Sequence, residues 1–429
     1  MINPQLRWCF RNPSGIAGAL LVLLAHSALA QSGTNAVGAP SDSIWTRPLL
    51  GGDCWGLRPE LKTHGVAGWL ELTQFGSGLV RGEGAKGWQW GGKLDGYLTL
   101  DGAQAGLWNG LYIKVHGEQN YGHDLEGAGG ALVPNNIGLA LPGLGDGDIG
   151  LEITQKFSDT MAVKFGKLNM VDAAKATPIR GGGGGDSFMN TALAVPITGL
   201  MPPEIFGAFL NVSAKPVTYT LGVYDPIDAG HRSIFDQPFG EGVSFFGSAT
   251  LATTLCDLQG FYGVKAMYST MHGFDLRSIP DLLLPPESGD VMSQEAHPYY
   301  FGVSFQQYFF QDAKNPQCGW GFFGDFGFSD GNPTPQQWAG SFGVGGMGLL
   351  PGRSADRWGL AVFRNALSSH LIQGLEPLFA LRDEQGIEAF YNIAITPWLH
   401  ITPDLQVVQP FQEDYPTAVF ATLRANVRF

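Results

Sequence analysis

Charged and hydrogen-bonding side chains occupy every second position in several otherwise apolar segments of the chain. The candidate residues with this spacing are Asp95, Tyr97, Lys114, His116, Glu152, Lys164, Glu388 and Arg424. Side chains two positions apart project from the same face of a β-strand. A face with hydroxyl, imidazole and charged groups of both signs suits a neutral, hydroxyl-rich solute, whereas an ion-selective pore favours rings of one sign. The alternative is a hydrated wall that makes no specific contact.

Residues that could support catalysis are not arranged in a recognisable motif. The sequence has no G-x-S-x-G or H-E-x-x-H pattern and no closely spaced cysteine pair, and its histidines are scattered singly. Paired carboxylates for glycoside hydrolysis cannot be identified without geometry. We therefore expect no enzyme, no metal and no cofactor, with an outer-membrane or periplasmic hydrolase as the alternative.

The elements that position the candidate residues are predicted to be β-strands. From Val419 to Phe429, apolar residues at odd positions alternate with residues that are mostly Thr, Arg and Asn. About ten residues is the length of a membrane-crossing strand. The same alternation recurs in residues 94–101, 111–116, 151–157, 161–167, 219–223 and 387–393. Helical periodicity is nearly absent, so the fold class is predicted to be all-β.

The first thirty residues have the pattern of a cleaved signal peptide. Arg7 and Arg11 precede an apolar stretch over residues 16–25, and residues 28–30 form the small-x-small site that a signal peptidase cuts. We expect Gln31 to begin the mature chain, with an uncleaved anchor as the alternative. Loss of two arginines and no acids makes the mature net charge 23 − 38 = −15. This acidity argues against a nucleic-acid partner.

Composition separates two architectures that share the alternation. Only 15% of the residues are charged, compared with about 25% in soluble domains. Aromatic clusters near predicted strand ends lie at residues 88–90, 298–301, 308–310 and 397–398. Such clusters suit the aromatic girdles of an outer-membrane barrel. The sequence therefore favours a transmembrane antiparallel barrel over residues 67–429, preceded by a periplasmic segment at residues 31–66, and not a soluble sandwich or propeller.

One short helix is predicted before the barrel. Pro59 and Glu60 lie at a plausible first turn after Leu57, and Gly65 follows the end. These are start and stop signals of a helix.

The cysteines do not indicate a disulfide framework. Cleavage of the leader would remove Cys9 and leave Cys54, Cys256 and Cys318, which are widely spaced and odd in number. At most one pair can bridge, and the sequence leaves open whether any does.

The glycine run between Arg180 and Phe188 is too flexible for a strand. Arg180 and Asp186 flank five consecutive glycines. We expect this segment to form a loop that folds into the lumen and places Arg180 and Asp186 at a constriction. A surface loop is the alternative, and the run lacks the Lys-Ser/Thr of a phosphate-binding loop.

Several motifs resemble those of the carbohydrate-selective porin family of Gram-negative outer membranes. Residues 52–58, Gly-Asp-Cys-Trp-Gly-Leu-Arg, are similar to its N-terminal GDWGGxR signature, with a cysteine inserted and one glycine lost. Residues 166–169 resemble its G-[KQ]-x-[ND] step, and residues 348–359 resemble its G-x-x-x-G-R-x-x-D-x-x-G motif. Residues 388–391 and 395–406 are similar to its E-x-x-Y and T-P-W-L-x-[IL]-x-P-D-[LV]-Q runs.

The resemblance covers about residues 45–429 and implies a single-chain barrel of about sixteen strands. It implies diffusion of carbohydrates, either monosaccharides or small oligosaccharides, into the periplasm. The terminal Phe429 resembles the aromatic end that such barrels present to their outer-membrane assembly machinery. A general porin, or one for another solute such as an aromatic acid or an amino acid, is the alternative because fold alone does not fix function.

Overall fold

The strands account for most of the architecture. The computed structural model describes residues 43–429 except residues 126, 176, 184, 231–236, 280–292, 313–314, 316–317 and 377. The expected signal peptide at residues 1–30 lies outside the described residues. The strands are β1 (Val66–Arg81), β2 (Trp88–Asp101), β3 (Leu111–Gly122), β4 (Gly147–Lys156), β5 (Met161–Asn169), β6 (Glu204–Ala214), β7 (Val217–Tyr224), β8 (Ser244–Leu255), β9 (Leu258–Ser269), β10 (His272–Phe274), β11 (Gln294–Ala296), β12 (Tyr299–Gln311), β13 (Gly319–Ser329), β14 (Gln336–Met347), β15 (Arg357–Leu367), β16 (Glu384–Thr396), β17 (Leu399–Gln409) and β18 (Ala418–Arg428).

Sixteen of these strands form one closed antiparallel barrel. Each strand pairs with its neighbours in chain order, β9 pairs with β12, and β1 closes the barrel against β18. Strands β10 and β11 form a separate two-stranded sheet within the connection from β9 to β12. At the seam, Glu71 lies opposite Arg428 and Leu79 opposite Phe420. The expected strand number of about sixteen is confirmed.

The helices are short. They are α1 (Leu57–Thr63), α2 (Ile137–Ala140), α3 (Met170–Ala174), α4 (Thr191–Ala194) and α5 (Ser369–Leu375), with single 3-10 turns at Ala128–Gly130 and Leu276–Ser278. Helix α1 confirms the helix predicted before the barrel, and Gly65 just beyond it has a φ of 74°. Within the described residues, no helix combines the length and the apolar character that crossing a membrane requires.

The outer surface of the barrel is apolar and its interior is polar. Leu423 is 48% exposed, whereas Arg424 beside it is fully buried. Leu151 and Phe165 are likewise exposed, while Lys164 and Glu152 pair with each other on the inner side. A soluble sandwich would bury these apolar residues, so the pattern matches a barrel whose outer face contacts lipid.

The two ends of the barrel differ. At the end where β1 begins and β18 ends, called the turn end below, three hairpins turn through only residues 215–216, 256–257 and 397–398. Cys256 and Asp257 have positive φ values of 50° and 64°, as a two-residue hairpin turn requires. The other end, called the loop end below, carries the longest connections, which are residues 123–146, 170–203, 225–243 and 270–298.

Exposed aromatic rings lie near both ends of the strands. Trp88 and Trp90 begin β2 at the loop end and are 55% and 64% exposed. Phe309 and Phe310 lie near the far end of β12 and are also exposed. Their positions agree with the predicted girdles, since aromatic rings favour the interface between hydrocarbon and water.

The largest apolar cluster lies inside the barrel, where two connections pack against the wall. Leu125 and Val133 of one connection and Ile179, Phe188 and Leu193 of the other are buried in it. Phe188 packs edge-on against Phe390 of β16 and Phe323 of β13, with ring centroids 4.8 Å and 5.6 Å away. The lumen is therefore partly filled by the protein itself.

None of the three cysteines in the described part of the chain forms a disulfide. Cys54 is half-buried, Cys256 is exposed in its hairpin turn and Cys318 is buried. The barrel is held by its strand ladder and not by covalent bridges.

Candidate functional site in the barrel lumen

Two connections fold into the lumen from the loop end. The first comprises residues 123–146, and the second, named the lumen loop here, comprises residues 170–203. They hydrogen-bond to each other from Ile137 N to Met189 O (2.9 Å) and from Thr191 N to Pro134 O (3.0 Å). The expectation that the glycine-rich segment folds into the lumen agrees with this placement.

Carboxylates on β16 hold both connections. Glu388 accepts hydrogen bonds from the backbone N–H groups of Met189 (2.5 Å) and Asn190 (3.0 Å) in the lumen loop. Glu384 lies four residues before Glu388, on the same face of β16. It accepts hydrogen bonds from the backbone N–H groups of Leu132 and Val133 in the first connection. A buried N–H left without a partner costs about 1–3 kcal/mol, and each glutamate satisfies two backbone N–H groups, so Glu384 and Glu388 fix the loops to the wall.

Glycines allow the lumen loop to approach its neighbours closely. A Cβ on Gly182 would lie 2.4 Å from the carbonyl oxygen of Ala174. On the wall, a Cβ on Gly359 would lie 2.6 Å from ring atoms of both Phe188 and Phe390. Gly359 is the last glycine of the motif at residues 348–359, and it makes room for the buried Phe188.

The same motif also builds a turn at the turn end of the barrel, where β14 ends and β15 begins. Asp356 is buried and pairs with Arg353 at 2.6 Å. It also accepts hydrogen bonds from the backbone of Ala394 and from the hydroxyl of Tyr391, each at 3.0 Å. The motif therefore locks the β14–β15 turn to β16 and makes no contact with the lumen cavity described next.

A cavity of about 430 Å³ remains between the lumen loop and the wall formed by β18, β1, β2 and β3. Its wall residues include Trp69, Glu71, Lys93, Asp95, Tyr97 and Lys114, and its loop residues include Asp172, Lys175, Gly183 and Asp186. The lining therefore contains carboxylates, ammonium groups and aromatic rings.

Three aromatic rings form a row across the wall of this cavity. Trp69 on β1, Tyr97 on β2 and His116 on β3 lie opposite one another in the strand register. The Trp69 and Tyr97 centroids are 4.6 Å apart with planes 15° apart, and the Tyr97 and His116 centroids are 4.1 Å apart with planes 14° apart. We call these three residues the aromatic row.

Asp172 of α3 connects the lumen loop to the aromatic row. Its carboxylate lies 3.0 Å from His116 Nδ1 and 3.1 Å from Lys114 Nζ. It also lies 2.8 Å from Lys175 Nζ and accepts a hydrogen bond from the Tyr97 hydroxyl at 3.2 Å. Burial alone would favour the neutral acid, but the charges of Lys175, His116 and Lys114 hold the pKa of Asp172 well below its usual value. Asp172 is therefore a carboxylate at neutral pH.

Lys175 has the complementary environment. Burial disfavours its charge, but Tyr97, Asp172 and Asp95 together raise its pKa well above the usual value. Its Nζ donates to the Tyr97 hydroxyl at 2.9 Å. The lumen loop thus presents a fixed cation and a fixed anion, each next to the aromatic row.

Six of the residues predicted from alternation come together around this cavity. Asp95 contacts His116 Nε2 at 2.9 Å, and Glu152 contacts Lys164 at 3.0 Å and Lys114 at 3.7 Å. The six are Asp95, Tyr97, Lys114, His116, Glu152 and Lys164. They lie on β2, β3, β4 and β5 as one network of alternating charge.

Arg180 and Asp186 lie in the lumen loop but contact different strands. Arg180 is 7% exposed and donates to Asp325 on β13 at 2.5 Å and to the carbonyl oxygen of Leu193 at 2.5 Å. Asp186 lines the cavity and lies 3.5 Å from Arg357 on β15. Arg357 and other cations overcome the effect of burial and lower the pKa of Asp186. The two side chains thus contact different strands, and their placement at a constriction stays a prediction.

Alanine at these two positions should therefore have distinct effects. Arg180→Ala leaves the buried Asp325 without its cation, and loss of one partner of a buried pair costs about 3–5 kcal/mol. The melting temperature of the Arg180→Ala variant should therefore fall, and its single-channel conductance should change. Asp186→Ala should change conductance or sugar selectivity with little effect on melting, because the side chain of Asp186 is 43% exposed. Equal melting temperatures and unchanged flux in both variants would contradict these assignments.

Glu388 and Arg424 point inward, as the alternation predicts, but the loops cover them. Both are fully buried. Glu388 binds the lumen loop as described, and Arg424 interacts electrostatically with Asp404, Asp186 and Glu388. Both side chains therefore lie buried inside the barrel and are not exposed on its lumen surface.

Four important residues of the cavity were not singled out by the sequence. Trp69 and Glu71 alternate on β1 like the residues that were found, so the same pattern could have identified them. Asp172 and Lys175 lie in the lumen loop, where no periodicity exists to mark them.

Taken together, a closed barrel with an apolar outer face, a polar lumen and a loop that narrows it defines a β-barrel channel of the outer membrane. Comparison with known proteins gives the family. A profile of the carbohydrate-selective porin family, OprB, matches residues 99–429, and the chain belongs to this family. It is an outer-membrane porin for carbohydrates, and family and fold are those of a channel and not of an enzyme.

Solved structures agree with this fold. The high-pH structure of Pseudomonas putida OprB superposes with a TM-score of 0.78 at 17% identity, covering 90% of this chain and 100% of that one. Its low-pH structure gives 0.55 at 16% identity, covering 90% and 99%. The channel DcaP of Acinetobacter baumannii gives 0.52 at 9% identity, covering 85% and 97%. No curated protein sequence matches the chain.

Proposed function

We propose that monosaccharides and small oligosaccharides cross this porin through the cavity that Trp69 and Tyr97 of the aromatic row line. The observation that carries the proposal is the position of these two rings on the cavity wall, where Tyr97 is stacked between Trp69 and His116 and the outer face of Trp69 is left for the solute. The C–H face of a sugar ring packs well against an aromatic ring, because this contact removes apolar surface from water. A volume of about 430 Å³ lies in the range of about 300–1,000 Å³ that small-molecule sites occupy.

Charged groups beside the row support a neutral, hydroxyl-rich solute. Lys114, Lys175, Asp95 and Asp172 supply donors and acceptors within the same network. Sugar hydroxyls can both donate and accept, so they can replace part of their hydration with such groups. Because cations and anions alternate, the network favours neither sign of a charged solute strongly.

The wall residues Glu152 and Lys164 extend this network away from the row. They form an ion pair that is partly exposed to the lumen. In this proposal they line the solute path, while Arg180, Glu388 and Arg424 hold the loop that sets its width.

Solute entry into liposomes tests the proposal. Residues 31–429 are refolded into liposomes, and swelling rates are compared for glucose, larger saccharides and amino acids matched to glucose in size. We expect glucose to enter faster than the matched amino acids. Entry ranked by size alone would contradict a carbohydrate preference and favour a general porin, and no entry would contradict an open pathway.

Three features of export and assembly belong to the same proposal. The pattern of residues 1–30 supports removal of a signal peptide before residue 31. Residues 31–66 would then precede the barrel at its periplasmic end. Phe429, whose backbone pairs with Leu70 at the seam, would be the terminal aromatic residue that the assembly machinery of a Gram-negative outer membrane binds.

A further inference from the structure

A second group of buried acids lies where the two inward connections join the barrel. Glu118 of β3, Asp148 of β4 and Glu204 of β6 have carboxylate oxygens that all lie within 4.8 Å of one another. They are 4%, 6% and 6% exposed. Asp148 follows the first connection directly, and Glu204 follows the lumen loop directly.

The lysines nearby leave part of this negative charge unmatched. Lys93 Nζ lies 2.6 Å from Glu118 Oε2, and Lys167 pairs with Asp148 Oδ1. Within the described residues, Glu204 takes part in no ion pair. Three carboxylates therefore face two ammonium groups, of which Lys93 also lies 3.6 Å from Asp95, while the His116 imidazole lies 3.8 Å from Glu118 Oε2. Glu118 and Asp148 also lie directly opposite each other in the ladder, where like charges repel.

Three oxygens in the group lack hydrogen-bond partners within the described part of the chain. They are Glu118 Oε2, which has only its ionic contacts with Lys93 and His116, together with Asp148 Oδ2 and Glu204 Oε2. A buried carboxylate without a donor is costly, and the usual solutions are a proton, a donor or a bound cation. Each of the three residues has a carboxylate oxygen within 4.8 Å of one from each of the others, so one cation can contact all three carboxylates together.

A cavity of about 210 Å³ adjoins these carboxylates. Glu118, Asp148 and Glu204 line it, and the exposed Asp228 lies on the same cavity. The cavity is large enough for an ion with bound water. Asp228 provides a negative charge between the surface and the three buried carboxylates.

We propose that Glu118, Asp148 and Glu204 bind one Ca²⁺ ion that ties the roots of the two inward connections together. Ca²⁺ takes six to eight oxygen ligands in a flexible geometry, and these can be carboxylates, carbonyls and water. The group offers three carboxylates and no nitrogen or sulfur ligand, which suits this hard cation better than zinc. The ion supplies the charge that Lys93 and Lys167 leave unmatched. The proposal does not depend on which solute the porin carries.

Calorimetry with Ca²⁺ alone tests the site. The chain is refolded from inclusion bodies into detergent, free of lipopolysaccharide, treated with a chelator and titrated with CaCl₂. We expect one saturable site per chain, and Glu204→Gln, which keeps the shape and removes the charge, should weaken it by roughly tenfold or more because affinity follows the charge of the ligands. Asp148→Asn should also weaken binding.

Asp404→Asn is the matched control, since it removes a buried carboxylate on β17 of the same lumen outside the group. It should bind Ca²⁺ like the wild type. Added Ca²⁺ should also raise the melting temperature of the wild type and of Asp404→Asn, but not that of Glu204→Gln. If the folded wild type showed no saturable binding, the proposal would be overturned and a protonated Glu204 would be indicated. Equal affinity of the wild type and Glu204→Gln for Ca²⁺ would also overturn the proposal. Both measurements need only the wild type and Glu204→Gln, so they test the proposal even if Asp148→Asn does not fold.

Discussion

Glu388→Ala should raise the single-channel conductance of this porin by about a factor of two or more, because the lumen loop loses its anchor and the pore widens. The carboxylate of Glu388 accepts from two buried N–H groups, at Met189 and Asn190. Each buried donor left without a partner costs about 1–3 kcal/mol. The free-energy difference that favours the docked loop over an undocked one therefore becomes much smaller. Recordings in planar bilayers would show a larger and noisier current.

Glu388→Gln serves as the control for this variant. Its carboxamide keeps one acceptor oxygen near the same backbone groups, so its conductance should lie between those of the alanine variant and the wild type. Folding of each variant is checked by the heat-dependent shift of its band in gel electrophoresis. Folded Glu388→Ala with the conductance of the wild type would show that the loop is held by its apolar contacts alone.

Tyr97→Ala should reduce the preference for glucose over a size-matched amino acid by about three- to tenfold, since Trp69 loses the stacked ring that holds it in place, and such an aromatic pair contributes about 0.5–1.5 kcal/mol beyond its buried area. Tyr97 is the middle ring of the aromatic row, with Trp69 on one side and His116 on the other. Its removal leaves Trp69 without support beside the proposed path. Swelling rates of liposomes measure the ratio directly.

Tyr97→Phe separates the ring from the hydroxyl. It keeps the stacking surface but removes the contacts of the hydroxyl with Asp172 and Lys175. We expect it to retain most of the preference for glucose. If the alanine variant kept the full preference, the aromatic row would not be the path, and if the phenylalanine variant lost it, the hydroxyl network would be the selective element.

The fold could be predicted from the sequence because its signal is local. Alternation with a period of two marks strands and their faces. From this pattern alone, Lys114, His116 and Glu152 are predicted to lie on the inner side of the barrel. The low fraction of charged residues separated a membrane barrel from a soluble sandwich. The strand number came from the resemblance and not from the pattern.

The arrangement inside the lumen could not be predicted in the same way. The bond from Met189 to Glu388 joins residues 199 positions apart, and no periodicity relates a loop to the wall that it contacts. The sequence therefore indicated that Glu388 and Arg424 face inward, but not that the loops bury them. For the same reason Asp172 was missed, and the ion pair of Arg180 with Asp325 could not be foreseen.

The seam between β1 and β18 has a consequence for the order in which the molecule forms. Its pairs join positions as distant in sequence as Glu71 and Arg428, which is the largest separation between paired strands in the barrel. Contacts between residues so far apart in sequence form late and slowly. Until it closes, β1 and β18 each present an unpaired edge, which hydrocarbon does not tolerate and which other chains can join. Closure should therefore be the slow step of folding, and the half-open barrel should be the species most exposed to aggregation.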